Sequence, residues 1–479
     1  MAKGQQVKQS IWIFIALAGL VSQVTAAVRP NVDLIVQGDY VVTMNSENEI
    51  ITHGAVVIDA GRIIEVGKAV DVQQHYNAKA TITGEQRVVM PGLINGHSHA
   101  AMTLLRGIAD DLPLYQWLND YIFPAEVAFA DPEFVRVGTQ LACWEMTRGG
   151  TTTFVDMYYH SAVIAEVVND CGMRALVSAT VIDQKSPDSE GAADSLKNAR
   201  AFVQQYQGKY ERVVPIFGPH ANYTLNAEQL KQTRAAADAL NAPISIHMAE
   251  SRFEMDYSRE NYQQGSVTMF DGIGFLDGPT IAAHMVWPDD DEIAILAEKQ
   301  VGAIYNPTSN MKTAAGIAPV PKMLEAGVNV GLGTDGSASN NDLDMWEEMR
   351  IGAFLQKVNG MDPELLSATE MLAMATINGA KAIGLADRIG SLETGKYADL
   401  IQVSLADVHH LPIFDVISHL VYVTDEQDVV TVIINGSLLM RERELLLIDQ
   451  ATVRKEAAAI AARIKAKLRI NVSEPRSAQ

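Results

Sequence analysis

Between residues 88 and 335 the chain repeats one alternation eight times. The apolar runs are VVMPGLING, TTTFVDM, RALVSAT, RVVPIFGP, PISIHMA, TIAAHMV, VGAIYNP and VNVGLGTD. Text with helical spacing, such as PEFVRVGTQLACWEMTRG, AEQLKQTRAAADALN and DDEIAILAEKQ, separates most of them. Short apolar runs bounded by Gly and Pro read as buried strands, and strands alternating with helices predict a parallel sheet. Eight such units predict an α/β fold, a (β/α)8 TIM barrel over 88–392 whose active site lies at the C-terminal strand ends. An open doubly wound sheet is the competing architecture. No GxGxxG opens a helix here, so its commonest signature is missing.

Both ends of the chain read differently. DLIVQGDYVVTM and GAVVIDAGRIIEVG, within 28–87, alternate apolar and polar residues between turn signals, as do YADLIQVSL, VYVTDEQDVVTVIING and LLMRERELLLID, within 393–450. These predict antiparallel strands, and the simplest arrangement joins them into one small composite β-sandwich. VRKEAAAIAARIKAKL, within 451–479, predicts an amphipathic helix packed on the surface, followed by a polar tail. Residues 1–27 have the layout of a signal peptide: Lys3 and Lys8, then the apolar run Ile11 to Val21, then small residues around Ala26. The run is short for a membrane span. The body of the protein is therefore expected outside the cytoplasm, periplasmic or secreted, with an uncleaved anchor as the alternative.

With 37 Lys and Arg against 58 Asp and Glu, the net charge of −21 excludes nucleic acid as a partner, because phosphate binding needs a basic face. Cys143 and Cys171 lie in apolar, helix-like text and are expected to stay unpaired. A homo-oligomer is compatible with this composition.

The polar residues concentrate at the predicted strand ends. His97 and His99 follow the first run, and their i, i+2 spacing aims both imidazoles one way only on extended backbone. His220 follows the fourth run, His247 and Glu250 the fifth, His284 the sixth and Asp335 the eighth. Five of the eleven histidines thus fall on one predicted barrel face. Several imidazoles with a carboxylate suit zinc or ferrous iron. Bound zinc lowers the pKa of its water to about 7. Glu250 is placed to carry a proton, and Asp335 to bind the metal and accept one. His53, His75, His160, His409, His410 and His419 fall off this set and read as surface or packing residues.

PGLINGHSHAAMTLLRG, LYQWLNDYIFPAE, GPHANYT, IHMAE, NPTSNMK and GTDGSASNNDLDMWEEMR together resemble the amidohydrolase superfamily. Within it they resemble the S-adenosylhomocysteine / 5′-methylthioadenosine deaminase group. The resemblance implies one divalent metal ion, zinc or iron, held by His97, His99, His247 and Asp335. It makes Glu250 the proton shuttle and His284 the group that orients water and stabilises charge. It places Trp117, Glu126, Arg174, His220, Glu250 and Ser339 against a nucleoside substrate, with Met102 and Met311 as walls or filler. The implied reaction replaces the amino group of an adenine nucleoside by oxygen and releases ammonia. Guanine, cytosine, 8-oxopurine and triazine hydrolases are the alternatives within the superfamily, and a metal-free scaffold is the alternative outside it.

Overall fold

The computed structural model describes residue 1 and residues 29–468, so the expected signal peptide, beyond Met1, and the end of the C-terminal tail lie outside the described residues. No helix among the described residues is long and apolar enough to cross a membrane. In chain order the strands are β1 (Asn31–Val42), β2 (Ile50–Asp59), β3 (Arg62–Lys68), β4 (Asn77–Ile82) and β5 (Arg87–Pro91). Then come β6 (Leu93–Ser98), β7 (Thr151–Tyr158), β8 (Arg174–Val181), β9 (Val213–Pro219), β10 (Ile244–Met248), β11 (Thr280–His284), β12 (Gly302–Tyr305) and β13 (Asn329–Leu332). The last are β14 (Leu400–Ser404), β15 (Val429–Ile434), β16 (Ser437–Arg441) and β17 (Glu444–Leu445).

Strands β6 to β13 follow one another around one sheet, each paired in parallel with the next. These are the eight runs read from the sequence. Ile94, Val155, Leu176, Ile216, Ile281 and Ile304, from six different strands, form a buried apolar cluster with Ala380, Ile383, Ile389 and Tyr397. Branched side chains meeting in this way fill the interior, which makes the barrel a packed core and not a pore. No strand ladder joins β13 to β6 among the described residues. That seam is closed instead by Asp335 N donating to His97 O at 2.9 Å and by the Asn95 side chain, which bonds Thr334 Oγ1 and the Thr334 amide.

The run VVMPGLING divides between two sheets. Arg87–Pro91 pairs with β1 and β14, and the barrel strand begins only at Leu93. Gly92 is the joint: a Cβ there would lie 2.1 Å from the Thr152 side chain, so the chain can pass this point only without one. Continuous apolar text does not reveal such a change of partner.

The outer strands form one continuous nine-stranded sheet drawn from both chain ends, in the order β17-β16-β15-β14-β5-β1-β2-β3, with β4 also on β1. Leu400 to Ser404 lies antiparallel to Pro91 to Arg87, and this pairing ties the two ends together. The expected all-antiparallel pattern fails at β1, which takes β4 and β5 in parallel. Its 12 residues explain this, since Asn31–Val36 serves β4 while Tyr40 and Val41 serve β5. The helix Gln450–Leu468 lies on the helix Pro132–Gly149, burying Val453, Ile460 and Ile464, with an Arg136–Glu456 ion pair at 3.0 Å. Cys143 and Cys171 are buried free thiols.

Candidate active site

His97 and His99 leave β6 at the barrel mouth. His99 Nδ1 is 2.5 Å from Met157 O, which makes Nδ1 the protonated nitrogen and turns the bare Nε2 inward. His247, near the end of β10, is held the same way by His220 O, 2.8 Å from its Nδ1. The bare Nε2 atoms of His99 and His247 then face each other at 3.3 Å. Asp335 Oδ1 completes the group, 3.2 Å from His99 Nε2 and 3.4 Å from His97 Nε2. Its other oxygen accepts from Ser309 Oγ and Ser339 Oγ, both at 2.7 Å.

Without a cation this arrangement is electrostatically awkward. His97 is fully buried, neither of its ring nitrogens completes a hydrogen bond among the described residues, and burial pushes its pKa down to about 4. Burial opposes a charge on His99 too, yet the Asp335 carboxylate raises that imidazole's pKa to about 9, a field that favours positive charge at this point. Ligands about 2.0–2.1 Å from zinc in a tetrahedron stand about 3.3 Å apart. The separations of 3.2–3.4 Å match that edge. The donor set therefore fits a divalent metal of the zinc class.

Glu250 lies just beyond β10, on a turn that its neighbours force. Ala249 has φ 51°, a left-handed conformation costly for a residue with a Cβ. The buried Glu254 carboxylate clamps this turn by accepting from the amides of Ala249 and Glu250, both at 2.8 Å. Glu254 escaped the sequence reading, although its place three residues past Ser251, which caps the helix Arg252–Tyr262, was a readable signal. Burial raises the Glu250 pKa to about 7. Its Oε1 is 3.7 Å from Nε2 of His284, whose Nδ1 is fixed by Asn310 Oδ1 at 2.9 Å. His284 and Asp335 also hold positive φ, at 78° and 63°, so strained backbone recurs at the groups that point into the mouth.

These groups open into a pocket whose empty space, counted out to open solvent, is ≈560 Å³. The segment after β6 roofs it: the π-helical turn Trp117–Ile122 and the helix Phe123–Phe129 bring in Trp117 and Glu126. Glu126 is 2 % exposed, its Oε2 accepts from Tyr159 at 3.3 Å, and its Oε1, on the side of Tyr158, completes no hydrogen bond among the described residues. Burial raises its pKa to about 7. His220 and Met102 line the same pocket, as do Tyr158, Tyr159, Thr180 and Tyr223, which the sequence reading missed. Tyr158 ends β7, so a polar residue closing an apolar strand was the signal available.

Three expectations need correction. Arg174 opens β8, and seven residues of strand at about 3.3 Å each set it more than about 20 Å from the mouth. It is buried against Asp399, with bonds of 2.6 and 3.1 Å, and serves the joint with the outer sheet. Ser339 holds Asp335 and does not line the pocket. Met311 is 46 % exposed, neither wall nor filler.

A parallel barrel with histidines and an aspartate converging at its C-terminal mouth defines a metal-centre barrel of hydrolase type. The chain belongs to the amidohydrolase family, which it matches over residues 88–439. It is 43% identical over 426 residues to a 5′-deoxyadenosine deaminase of Methanococcoides burtonii, covering 89% of this chain and 96% of that one. It is 42% identical over 418 residues to a 5-methylthioadenosine/S-adenosylhomocysteine deaminase of Thermodesulfovibrio yellowstonii, covering 87% and 95%. Among solved structures it is similar to an adenosine deaminase from Xanthomonas campestris with bound zinc. The TM-score there is 0.89 at 37% identity, with 91% of this chain and 100% of that chain covered.

Proposed function

We propose that this protein hydrolytically deaminates an adenine nucleoside: adenosine, 5′-deoxyadenosine, 5′-methylthioadenosine or S-adenosylhomocysteine. The observation that carries the reading is that Glu250 and Glu126 line one pocket, each buried and each serving a different part of such a substrate. Glu126 keeps a carboxylate oxygen that completes no hydrogen bond among the described residues, which suits a ribose hydroxyl, while Trp117 supplies an aromatic surface against the nucleoside. His97, His99, His247 and Asp335 would hold the metal. When bound, a divalent cation supplies Lewis-acid activation of water at neutral pH.

The chain's own groups do the proton work. Glu250 accepts a proton from the attacking water and delivers it to the ring nitrogen beside the amino-bearing carbon. His284, its Nδ1 held by Asn310, presents Nε2 to the oxygen that adds to that carbon. Transfer of the second water proton to the amino group releases ammonia and leaves the inosine analogue. The buried Glu250 carboxylate suits this task because burial raises its pKa to about 7.

The testing experiment is ammonia release from a panel of nucleosides and free bases. Turnover of adenine nucleosides, with free adenine poor, supports the reading. Turnover of guanine, cytosine or a chlorotriazine alone overturns it, and such substrates would leave Glu126 without hydroxyls to bind. Export is part of the same proposal and rests on the layout of residues 1–27. N-terminal sequencing of protein from cell fractions tests it. A cytoplasmic product that retains Met1 overturns export.

A further inference from the structure

A second group of metal-ligating side chains lies away from the barrel mouth and shares no residue with it. His409 and His410 sit on the short turn Val408–His410 after β14, and Asp428 ends the turn Glu426–Asp428 that leads into β15. Asp428 Oδ2 is 3.1 Å from His409 Nε2 and 3.3 Å from His410 Nε2. One ligand atom from each of the three residues falls within 4.8 Å of the other two.

Ordinary hydrogen bonding accounts for His409 and Asp428 but not for His410. His410 is fully buried, and neither of its ring nitrogens completes a hydrogen bond among the described residues, although Nε2 is so close to Asp428. A buried imidazole with both nitrogens unsatisfied is uncommon and calls for an ion or water. Asp428 Oδ2 already accepts from Asp425 N at 3.0 Å and from His409, so it is committed as an acceptor. The 3.1 and 3.3 Å spacings are close to the edge of about 3.3 Å that a tetrahedral centre with ligands at about 2.0–2.1 Å requires. Two imidazoles and one carboxylate favour zinc-class ions over magnesium or calcium, which prefer all-oxygen sites. The His409 side chain is 37% exposed, which leaves the outer side open for water to complete the shell.

We propose that His409, His410 and Asp428 form a second binding site for a divalent transition-metal ion such as Zn²⁺. The ion would staple together the two turns that bracket the helix Val416–Tyr422. That helix buries Leu420 and Val421 and packs on the helix Ala368–Met374, so the staple secures the junction between the outer sheet and the barrel's last helices.

The experiment uses untagged full-length protein, stripped with a chelator and titrated with Zn²⁺ against a chromophoric competitor. Bound metal is counted by mass spectrometry after dialysis. Wild type takes up two equivalents. His409→Ala, at an exposed position, and Asp428→Asn, which still accepts from the Asp425 amide, each take up one. Circular dichroism of the metal-free forms verifies that both variants fold as wild type does. Saturation of wild type at one equivalent overturns the proposal, as does retention of the second equivalent by both folded variants.

Discussion

Nε2 of His99 and Nε2 of His247 face each other at 3.3 Å, each with its other ring nitrogen bound to a backbone carbonyl. Two lone pairs at that distance repel unless something positive lies between them. Stripping the metal is therefore expected to abolish activity, and added Zn²⁺ to restore it. Ser339→Ala removes one of the two hydroxyls, with that of Ser309, that donate to Oδ2 of the carboxylate completing this group. Metal affinity should fall about 10–100-fold, the usual effect of losing a residue that orients a ligand. With metal in excess, KM should stay unchanged. Chelator competition followed by steady-state kinetics checks both.

Glu250→Gln should retain the metal and lose kcat by about 10²–10⁴ or more, as expected when a positioned proton carrier is removed. Burial raises the Glu250 pKa from its ordinary 4.5 to about 7, while a nearby cation favours the carboxylate and pulls it back. The group must be ionised to accept a proton from water. Wild-type kcat should therefore fall as pH drops, with an acid limb between 4.5 and about 7. A flat kcat across that window would remove Glu250 from the shuttle role.

Glu126→Gln keeps the shape of the side chain and removes its charge. KM for ribosyl substrates should rise about tenfold, the value of a charge-assisted hydrogen bond worth roughly 1.5 kcal/mol. The change in kcat should be smaller. Since burial raises this carboxyl to about 7, wild-type KM should fall as pH rises through neutrality and the acceptor ionises. A 2′,3′-dideoxy substrate should bind wild type and variant alike. Measuring KM for both substrates against pH separates a sugar contact from a packing role.

Arg174→Ala leaves the buried Asp399 carboxylate without its bidentate partner. Breaking a buried pair in this way costs about 3–5 kcal/mol, so the melting temperature should drop sharply. The kcat/KM of the folded fraction should remain that of wild type. A kinetic defect without loss of stability would return Arg174 to the substrate site.

The sequence revealed most where residue type and position coincide. His97, His99, His247, His284 and Asp335 each follow an apolar run, and the parallel barrel gathers them at one mouth. Arg174 was misplaced because the resemblance outweighed strand direction: the first residue of a barrel strand lies at the opposite end from the catalytic mouth. Contributions from backbone were illegible. The carbonyls of Met157 and His220, which fix two imidazoles, carry no residue-type signal. His410 read as a packing residue, and only the fold brings it to Asp428 across a helix and two turns.

At the seam between β13 and β6, where no ladder forms among the described residues, the amide of Asp335 reaches the carbonyl of His97. The residues suited to grip a cation are therefore also the clasp that shuts the cylinder between its last strand and its first. Removing the ion should therefore loosen this seam first, at the reactive end of the barrel, before the laddered strands. On metal removal the Asp335 amide should exchange with deuterium markedly faster, while amides within β8, laddered on both sides, keep their protection.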